Sequence, residues 1–160
     1  MSVSLMWLLD GIANVPAIES REVSDLTLDS REVRPGSLFF ALPGRTAHGL
    51  KFAAEAAARG AGVVLWEPGA EVAPPKLPST VFAAAIPGLK DLVGRIADRF
   101  FNWPSAHLRI TGITGTNGKT TCAYLLAQCL ERLGFQAGYM GTIGWGRVAS
   151  LERPTLTTPD

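Results

Sequence analysis

The hydrophobic residues in the first part of the chain alternate between strand-like and helix-like patterns. Residues 37–42, SLFFAL, form a short apolar run after a Pro-Gly turn, which is typical of a buried strand. The alanine-rich residues 51–59 favour a helix, and Gly60 provides its C-terminal stop. Residues 62–66, GVVLW, indicate a second strand rich in β-branched side chains. A strand, a helix and a strand within about 30 residues predict a βαβ unit with parallel strands.

The next segment continues this alternation. A proline-rich loop precedes residues 81–86, VFAAAI, which we interpret as a further strand. In residues 89–101 the apolar side chains recur at intervals of three and one, a spacing that predicts an amphipathic helix. Pro87 suits the start of this helix and Pro104 lies beyond its end, so we place a linker between two domains at residues 102–107.

A second α/β pattern begins after this linker. It predicts a strand at residues 108–113, a glycine-rich loop at 114–118, a helix at 119–133 and a strand at 137–142. For residues 147–160, RVASLERPTLTTPD, which are mostly polar, we predict little order. The order strand, loop, helix and strand is the one with which parallel nucleotide-binding sheets begin.

We therefore predict an α/β protein with one domain at residues 1–103 and the beginning of a second at residues 104–160. A parallel nucleotide-binding sheet normally contains several more βα units than the two strands predicted for the second domain. A nucleotide-hydrolysing site also needs an acidic residue at the end of a neighbouring strand. The strand predicted at residues 137–142 carries no acidic residue, so the second domain is expected to be truncated.

Composition narrows the range of functions. Of 160 residues, 47% are hydrophobic and 18% are charged, which suits a packed core. The formal net charge of +1 indicates neither a nucleic-acid partner nor an anionic membrane, and the apolar runs are too short to span a bilayer. The N-terminus lacks the basic residues of a signal peptide. Cys122 and Cys129 lie about 10 Å apart along the predicted helix, too far for a disulfide, so we expect buried free thiols and a cytoplasmic protein.

The glycine-rich loop carries chemistry of its own. The stretch GTNGKT would present backbone N–H groups to phosphate oxygens at the start of a helix, and Gly115 and Gly118 permit the positive φ angles that this requires. Lys119 would contact the β- and γ-phosphates of a nucleotide, and the Thr120 hydroxyl would complete the coordination of Mg²⁺. In the pattern G-x-x-x-x-G-K-[ST], the first glycine is replaced here by Ile113, so the loop is a compact variant. The alternative is an ordinary glycine-rich turn between a strand and a helix.

Three separated segments together resemble the Mur ligases of bacterial cell-wall synthesis. The first, LDSREVRPGSLFFALPGRTAHGLKFAAEAAARGAGVVL, is similar to the family's uridine-binding N-terminal domain, and the second, ITGTNGKTT, to its ATP loop. The third, GYMGTIG followed by TLTTPD, resembles the stretch that reaches the muramoyl-peptide. The DSR block and the loop also occur in the MurF type, whereas GTIG followed by TTPD favours the MurE type. The implied fold is an N-terminal UDP-binding α/β domain followed by the start of a P-loop central ATPase domain.

The resemblance implies roles for individual residues. Lys119 and Thr120 would take part in catalysis, and Thr120 would also be a metal ligand. The residues implied in ATP binding are Gly115, Thr116, Asn117, Gly118, Lys119, Thr120 and Thr121. The residues implied in binding the UDP-muramoyl-peptide are Leu28, Ser30, Arg45, Thr46, Ala47, Thr157 and Thr158.

Other residues in the matching segments need a different interpretation. We interpret Asp29 and Arg31 as a structural turn and ion pair rather than as ligand contacts. The chain departs from the family at His48, where an aspartate is common, and His48 fits a plain surface residue as well as a ligand contact. It also departs at Leu156, where many MurE-like sequences have an asparagine, which removes one polar contact.

The function implied by the resemblance is ATP-driven ligation of a carboxylate to an amine. The terminal carboxylate of UDP-N-acetylmuramoyl-L-alanyl-D-glutamate would attack the γ-phosphate of ATP, and an amino acid would displace phosphate from the resulting acyl phosphate. The added third residue is expected to be meso-diaminopimelate, because this is prevalent in the family, with lysine as the other possibility. ATP and Mg²⁺ are the expected cofactors. We expect a monomer without nucleic-acid partners or membrane insertion.

Parts of the family's site lie beyond residue 160, namely further metal ligands, a carbamylated lysine and the amino-acid pocket. The piece is therefore expected to be inactive alone, since positioning supplies most of the catalysis of phosphoryl transfer. The alternatives are a MurF-type or folylpolyglutamate-type ligase and a stand-alone nucleotide-binding module. A small-molecule kinase would leave the DSR block unexplained.

Overall fold

The structure is a computed structural model, and in it the chain divides into two compact units, Met1–Leu108 and Arg109–Asp160. It describes residues 2–15, 20–44, 47–69 and 73–152. The division between the units follows the 3₁₀ turn Pro104–His107, close to the predicted linker.

The first unit is built on four parallel strands that lie in the order of the sequence. The predicted βαβ unit is confirmed, because strands β4 (Ser37–Ala41) and β5 (Val63–Trp66) pair in parallel and helix α2 (Ala53–Ala58) lies between them in the sequence. A short antiparallel pair, β1 (Val3–Ser4) and β2 (Glu22–Val23), lies outside this sheet. The strands are β1 Val3–Ser4, β2 Glu22–Val23, β3 Asp25–Thr27, β4 Ser37–Ala41, β5 Val63–Trp66 and β6 Phe82–Ala85. The helices are α1 Leu5–Leu9, α2 Ala53–Ala58 and α3 Leu89–Phe100, with 3₁₀ turns at Ser30–Glu32 and Gly49–Phe52.

The central strands β4 and β5 are buried along their whole length because both faces of the sheet are covered. Parallel strands between helices therefore read as continuous apolar runs. Alternate side chains enter two separate cores, as the two-residue period of a strand requires. One core packs on α1 and α3 and contains Leu5, Leu8, Leu38, Phe40, Val63, Leu65, Ile96 and Phe100. The other packs on α2 and contains Phe39, Ala41, Ala53, Ala56, Val64 and Trp66.

Helix α3 is held at both ends by contacts with other elements. Its N-cap is Gly88, with a φ of +74°. The carboxylate of Glu67, which follows β5, accepts the backbone N–H groups of Gly88 at 2.7 Å and Lys90 at 2.9 Å. In the last turn, the Arg99 guanidinium donates to carbonyl oxygens at the end of α1, including that of Trp7 at 3.0 Å. An anion at the start of a helix and a cation at its end both complement the helix dipole.

The stretch predicted as a linker folds back on α3. The N–H of Ser105 donates to the carboxylate of Asp98 at 3.0 Å, and the Ser105 hydroxyl donates to the same carboxylate at 2.8 Å. Asn102 and Trp103 both have left-handed backbone conformations, with φ of 63° and 53°. This reversal brings the Trp103 ring edge-on to the ring of Trp7, with centroids 5.8 Å apart.

The second unit contains one helix and one hairpin within its described residues. The predicted helix is present as α4, Lys119–Arg132. Strands β7, Tyr139–Gly141, and β8, Gly144–Gly146, pair antiparallel, and a 3₁₀ turn follows at Val148–Ser150. The prediction of little order for residues 147–160 is wrong for residues 147–152, the part that the structure describes, where the 3₁₀ turn forms and Glu152 pairs with Trp145.

Two further predictions for this region are wrong. No strand forms at residues 108–113, where Leu108 is 63% and Ile110 80% exposed. A strand needs a partner to satisfy its backbone groups, and no described strand lies alongside this segment. Cys122 and Cys129 are exposed, not buried. Helix α4 is covered on one side only, and Ala127 is its one buried residue.

Candidate functional site

Two glycines of the loop that precedes α4 have positive φ angles. Gly118 is the N-cap of α4 with φ +77° and ψ −5°, and Gly115 has a φ of +143°. A Cβ atom at Gly118 would meet only the Cys122 sulfur, at 4.0 Å, so the space for a side chain is available. Glycine is therefore required here by the backbone conformation and not by crowding.

The backbone N–H groups of this loop are open to solvent. From Thr114 to Thr121, no N–H group donates a hydrogen bond to another described residue. Residues 114–119 are exposed. The unsatisfied donors of the first turn and the positive end of the helix dipole thus face the same open space. This arrangement can bind an anion such as a phosphate group.

The Lys119 side chain folds back over the loop. Its ammonium donates to the carbonyl oxygen of Gly115 and, at 3.4 Å, to that of Thr116. The ammonium group, the glycines and the open amides therefore belong to one small region. The sequence prediction grouped these residues in the same way.

The hydroxyl of Thr120 reaches the hairpin. Its Oγ1 lies 2.8 Å from Oγ1 of Thr142, and either atom can be the donor. Thr142 belongs to the two-residue turn between Gly141 and Gly144, which pair across the hairpin. Thr142 lies in the GYMGTIG segment of the resemblance, but its contact with Thr120 was not predicted, because the two residues lie 22 positions apart in the sequence.

The hairpin is packed and tethered against α4. The buried ring of Tyr139 stands edge-on to the ring of Tyr124, with centroids 5.9 Å apart. Arg147 Nε donates to Oε1 of Glu131 on α4 at 3.2 Å. A Cβ atom at Gly141 would lie 2.3 Å from the Tyr139 hydroxyl, so only glycine fits beside this ring. These contacts fix the position of the turn that carries the second hydroxyl.

The predicted uridine-contacting residues of the first unit have contacts of their own. Ser30 is 6% exposed, and its hydroxyl donates to Oε2 of Glu55 on α2 at 3.0 Å. Leu28 is 39% exposed. Ala47 is half-buried, and its carbonyl oxygen accepts the N–H of Gly44 at 3.0 Å. The other predicted substrate contacts, Arg45, Thr46, Thr157 and Thr158, and the departure at Leu156, lie outside the described residues.

The structural interpretation of Asp29 and Arg31 is confirmed. The Asp29 carboxylate accepts the backbone N–H of Arg31 at 2.9 Å and the Arg31 Nε–H at 2.9 and 3.0 Å to its two oxygens. Side-chain hydrogen bonds from Arg31 hold the pKa of Asp29 below its ordinary value of 3.8, against the opposing effect of burial. The same pair raises the pKa of Arg31.

His48 is a structural residue, a role that the sequence analysis did not foresee. Its Nδ1 accepts the N–H of Leu50 at 3.0 Å, which caps the 3₁₀ turn Gly49–Phe52. The proton of the neutral ring is therefore on Nε2, which donates to the carbonyl oxygen of Glu67 at 3.0 Å. An aspartate side chain at this position could accept the same N–H. Replacement of an aspartate by histidine here would therefore preserve the cap of the 3₁₀ turn.

The described residues contain no group of three or more His, Cys, Asp or Glu side chains that could hold a metal ion. Mg²⁺ is commonly bound through substrate phosphates together with few protein ligands. The loop fits that mode, since the Thr120 hydroxyl lies at the first turn of α4 beside the open amides.

None of the described helices combines the length and apolar character that a bilayer crossing requires.

The fold and the loop define the class of protein: an α/β protein with an open glycine-rich loop before helix α4. Two family models match the chain, "Mur ligase family, catalytic domain" at residues 22–100 and "Mur ligase middle domain" at residues 113–160. The UDP-N-acetylmuramoyl-L-alanyl-D-glutamate--2,6-diaminopimelate ligase of Xanthomonas campestris pv. campestris (strain 8004) is 48% identical over 138 residues, 86% of this chain and 27% of that protein.

Solved structures give the same relationship. One of a UDP-N-acetylmuramoyl-L-alanyl-D-glutamate--2,6-diaminopimelate ligase matches 100% of this chain and 31% of its own, with a TM-score of 0.72 and 30% identity. The MurF ligase of Thermotoga maritima in complex with ADP matches 69% of this chain and 24% of its own, with a TM-score of 0.51 and 26% identity. The chain belongs to the Mur ligase family, and the resemblance inferred from its motifs is confirmed.

Proposed function

We propose that the chain is part of an ATP-dependent carboxylate–amine ligase of peptidoglycan precursor synthesis. The proposed reaction adds 2,6-diaminopimelate to UDP-N-acetylmuramoyl-L-alanyl-D-glutamate, the reaction that the names of its relatives describe. The chain spans 27% and 31% of the length of these two relatives, so the complete site requires further residues. A MurF relative in complex with ADP supports a nucleotide site in the same fold.

The observation that carries this proposal is the set of open amides from Thr114 to Thr121. A loop collapsed on itself, with its N–H groups paired internally, could not accept a triphosphate. Here the amides are unpaired within the described residues, the loop is exposed and the Lys119 ammonium lies on it. These three features together fit the β- and γ-phosphates of ATP.

In the proposed mechanism the loop positions and neutralises the transferring phosphoryl group. The amides of the loop would orient the phosphates, and Lys119 would leave the Gly115 carbonyl to pair with them. The Thr120 hydroxyl would be a ligand of Mg²⁺, which when bound neutralises charge on the phosphates. The substrate carboxylate would then attack the γ-phosphate and displace ADP, which leaves an acyl phosphate, and the incoming amine would displace phosphate from that acyl phosphate.

We further propose that the first unit binds the uridine end of the substrate. Leu28, Ser30 and Ala47 would contribute with Arg45 and Thr46. The Ser30 hydroxyl donates a hydrogen bond to the Glu55 carboxylate. Its oxygen therefore still has a lone pair with which to accept a hydrogen bond from the ligand. Thr157 and Thr158 are proposed to contact the muramoyl-peptide. We also propose that the protein is a monomer and that it acts in the cytoplasm, where ATP and nucleotide-linked sugars are available.

Isothermal titration of the chain with ADP in the presence of Mg²⁺ tests the phosphate site. We expect saturable binding of ADP. The Lys119→Ala substitution should weaken this binding by about 10- to 100-fold, because it removes charge-assisted hydrogen bonds to the phosphates. Lys90→Ala, which removes an exposed lysine of the first unit, is the matched control and should bind as the unchanged protein does. Equal affinity of the Lys119 variant and the control would contradict the proposed site.

Titration with UDP-N-acetylmuramoyl-L-alanyl-D-glutamate tests the first unit separately. Uridine-dependent binding that persists in the Lys119→Ala variant is expected, because that ligand carries no triphosphate. Competition by UDP but not by ADP would locate the binding in the first unit. Absence of any binding that depends on uridine would contradict the substrate assignment.

A further inference from the structure

We propose that Thr142 is a positioning residue that orients the Thr120 hydroxyl toward the Mg²⁺ that accompanies the nucleotide. The proposal rests on the proposed function of the loop, and it assigns a task at the nucleotide site to a residue of the hairpin, Thr142, that the sequence placed only within the GYMGTIG segment. The observation behind it is the 2.8 Å separation of the two Oγ1 atoms.

The chemistry of a hydroxyl gives this contact a direction once a cation is present. A threonine hydroxyl has one proton and two lone pairs. If Thr120 Oγ1 offers a lone pair to Mg²⁺, its proton must point away from the cation and needs an acceptor. The oxygen of Thr142 is within hydrogen-bonding distance to be that acceptor. Metal ligands are commonly held in orientation by such outer hydrogen bonds.

The hairpin, and not the loop, determines where this acceptor lies. Thr142 follows directly on β7 in the tight turn closed by the Gly141–Gly144 pair. The Tyr139 ring packs beneath Gly141, and the Arg147–Glu131 ion pair ties the segment after β8 to α4. The acceptor is therefore in place before a nucleotide binds.

Without a cation, the 2.8 Å contact is compatible with donation from either hydroxyl. With a cation bound to Thr120, only donation from Thr120 to Thr142 is compatible with the metal–oxygen bond. The Thr142 hydroxyl should therefore matter for nucleotide that arrives with Mg²⁺ and not for nucleotide without it. A purely structural role in the hairpin would affect both equally.

The experiment compares Thr142→Val, which keeps the side-chain shape without the hydroxyl, with Thr142→Ser, which keeps the hydroxyl. The dissociation constant for ADP is measured by isothermal titration in excess Mg²⁺ and, separately, in EDTA. We expect Thr142→Val to weaken binding about 10-fold with Mg²⁺ and to leave binding in EDTA unchanged. Thr142→Ser should restore the affinity in Mg²⁺. Thermal unfolding of both variants shows whether the hairpin has remained folded.

Each outcome decides a different point. Equal affinities of Thr142→Val and the unchanged protein in Mg²⁺ would overturn the positioning role while leaving the nucleotide site intact. Equal weakening in Mg²⁺ and in EDTA would make Thr142 a structural residue only. If the unchanged protein bound ADP in neither condition, the proposed function itself would fail. If Thr142→Val did not fold, loss of Mg²⁺-dependent affinity in a folded Thr142→Ala, restored in Thr142→Ser, would carry the test.

Discussion

His48 and Glu67 lie 19 positions apart and are joined by a hydrogen bond of 3.0 Å from the imidazole Nε2 to the Glu67 carbonyl oxygen. The other ring nitrogen of His48 caps the 3₁₀ turn that leads into α2. The Glu67 carboxylate caps α3 through the N–H groups of Gly88 and Lys90. Two residues that follow adjacent parallel strands thus connect the starts of two helices on opposite faces of the sheet.

Replacing His48 by Ala should destabilise the first unit by about 1–2 kcal/mol, because it removes both hydrogen bonds and leaves the Leu50 N–H without its cap. The measurement is urea-induced unfolding followed by a signal from the first unit. His107→Ala, at the only other histidine, is the control, and because that side chain is exposed it should change stability by less than about 0.5 kcal/mol. A loss of the same size in both variants would mean that the His48 contacts are not stabilising.

The Asp29–Arg31 pair should make part of the stability depend on pH. The pKa of Asp29 in the folded protein is lowered from 3.8, so its ionised form is favoured by folding. Its contribution is present above the unfolded-state pKa and is lost as the pH falls through the lower folded-state pKa. The free energy of unfolding should therefore fall less steeply on the acid side of 3.8 in Asp29→Asn than in the unchanged protein.

That comparison needs a control that removes the partner instead of the carboxylate. In Arg31→Ala the carboxylate keeps its own backbone contact to residue 31 but loses the guanidinium, so the acid dependence should be intermediate. Identical acid slopes in the unchanged protein and in Asp29→Asn would show that the ion pair contributes nothing to folding.

The elements of the fold that could be predicted are those whose own residue pattern matches the environment in which they pack. β4 and β5 are apolar runs that the chain covers on both faces with α1, α2 and α3, so the strand pattern and the structure agree. Residues 108–113 were also predicted to be a strand, but no described strand pairs with them and no strand forms. Strand formation depends on a partner that the segment's own sequence does not specify.

The same distinction applies to the candidate site. The loop from Gly115 to Thr121 was predictable because one contiguous motif contains its glycines, its ammonium and its hydroxyls. The contacts of Thr142 with Thr120 and of His48 with Glu67 were not predictable, because they join residues 22 and 19 positions apart. The exposure of Cys122 likewise follows from what covers α4 and not from the residue type.

Gly118→Ala tests whether the loop depends on its backbone conformation. The added methyl group has space, but an alanine at φ +77° costs about 1–2 kcal/mol in backbone strain. If the loop changes its conformation to relieve this strain, the affinity for ADP should fall about 10-fold. Gly112→Ala is the matched control, since that glycine has open space and no positive φ. Titration with ADP should separate the two variants. A loss of affinity in both, or in neither, would contradict the conformational role of Gly118.

The contacts of the Lys119 ammonium with the carbonyl oxygens of Gly115 and Thr116 affect which anions the loop would bind. The ammonium already has two carbonyl partners, so its gain on binding a ligand is the difference between two sets of contacts. A small anion such as sulfate, seated on the amides alone, would leave that group where it is and gain little from it. A longer polyanion that draws the Lys119 ammonium away from these carbonyls would gain its charge pairing, and this difference would favour a triphosphate tail over free phosphate or sulfate.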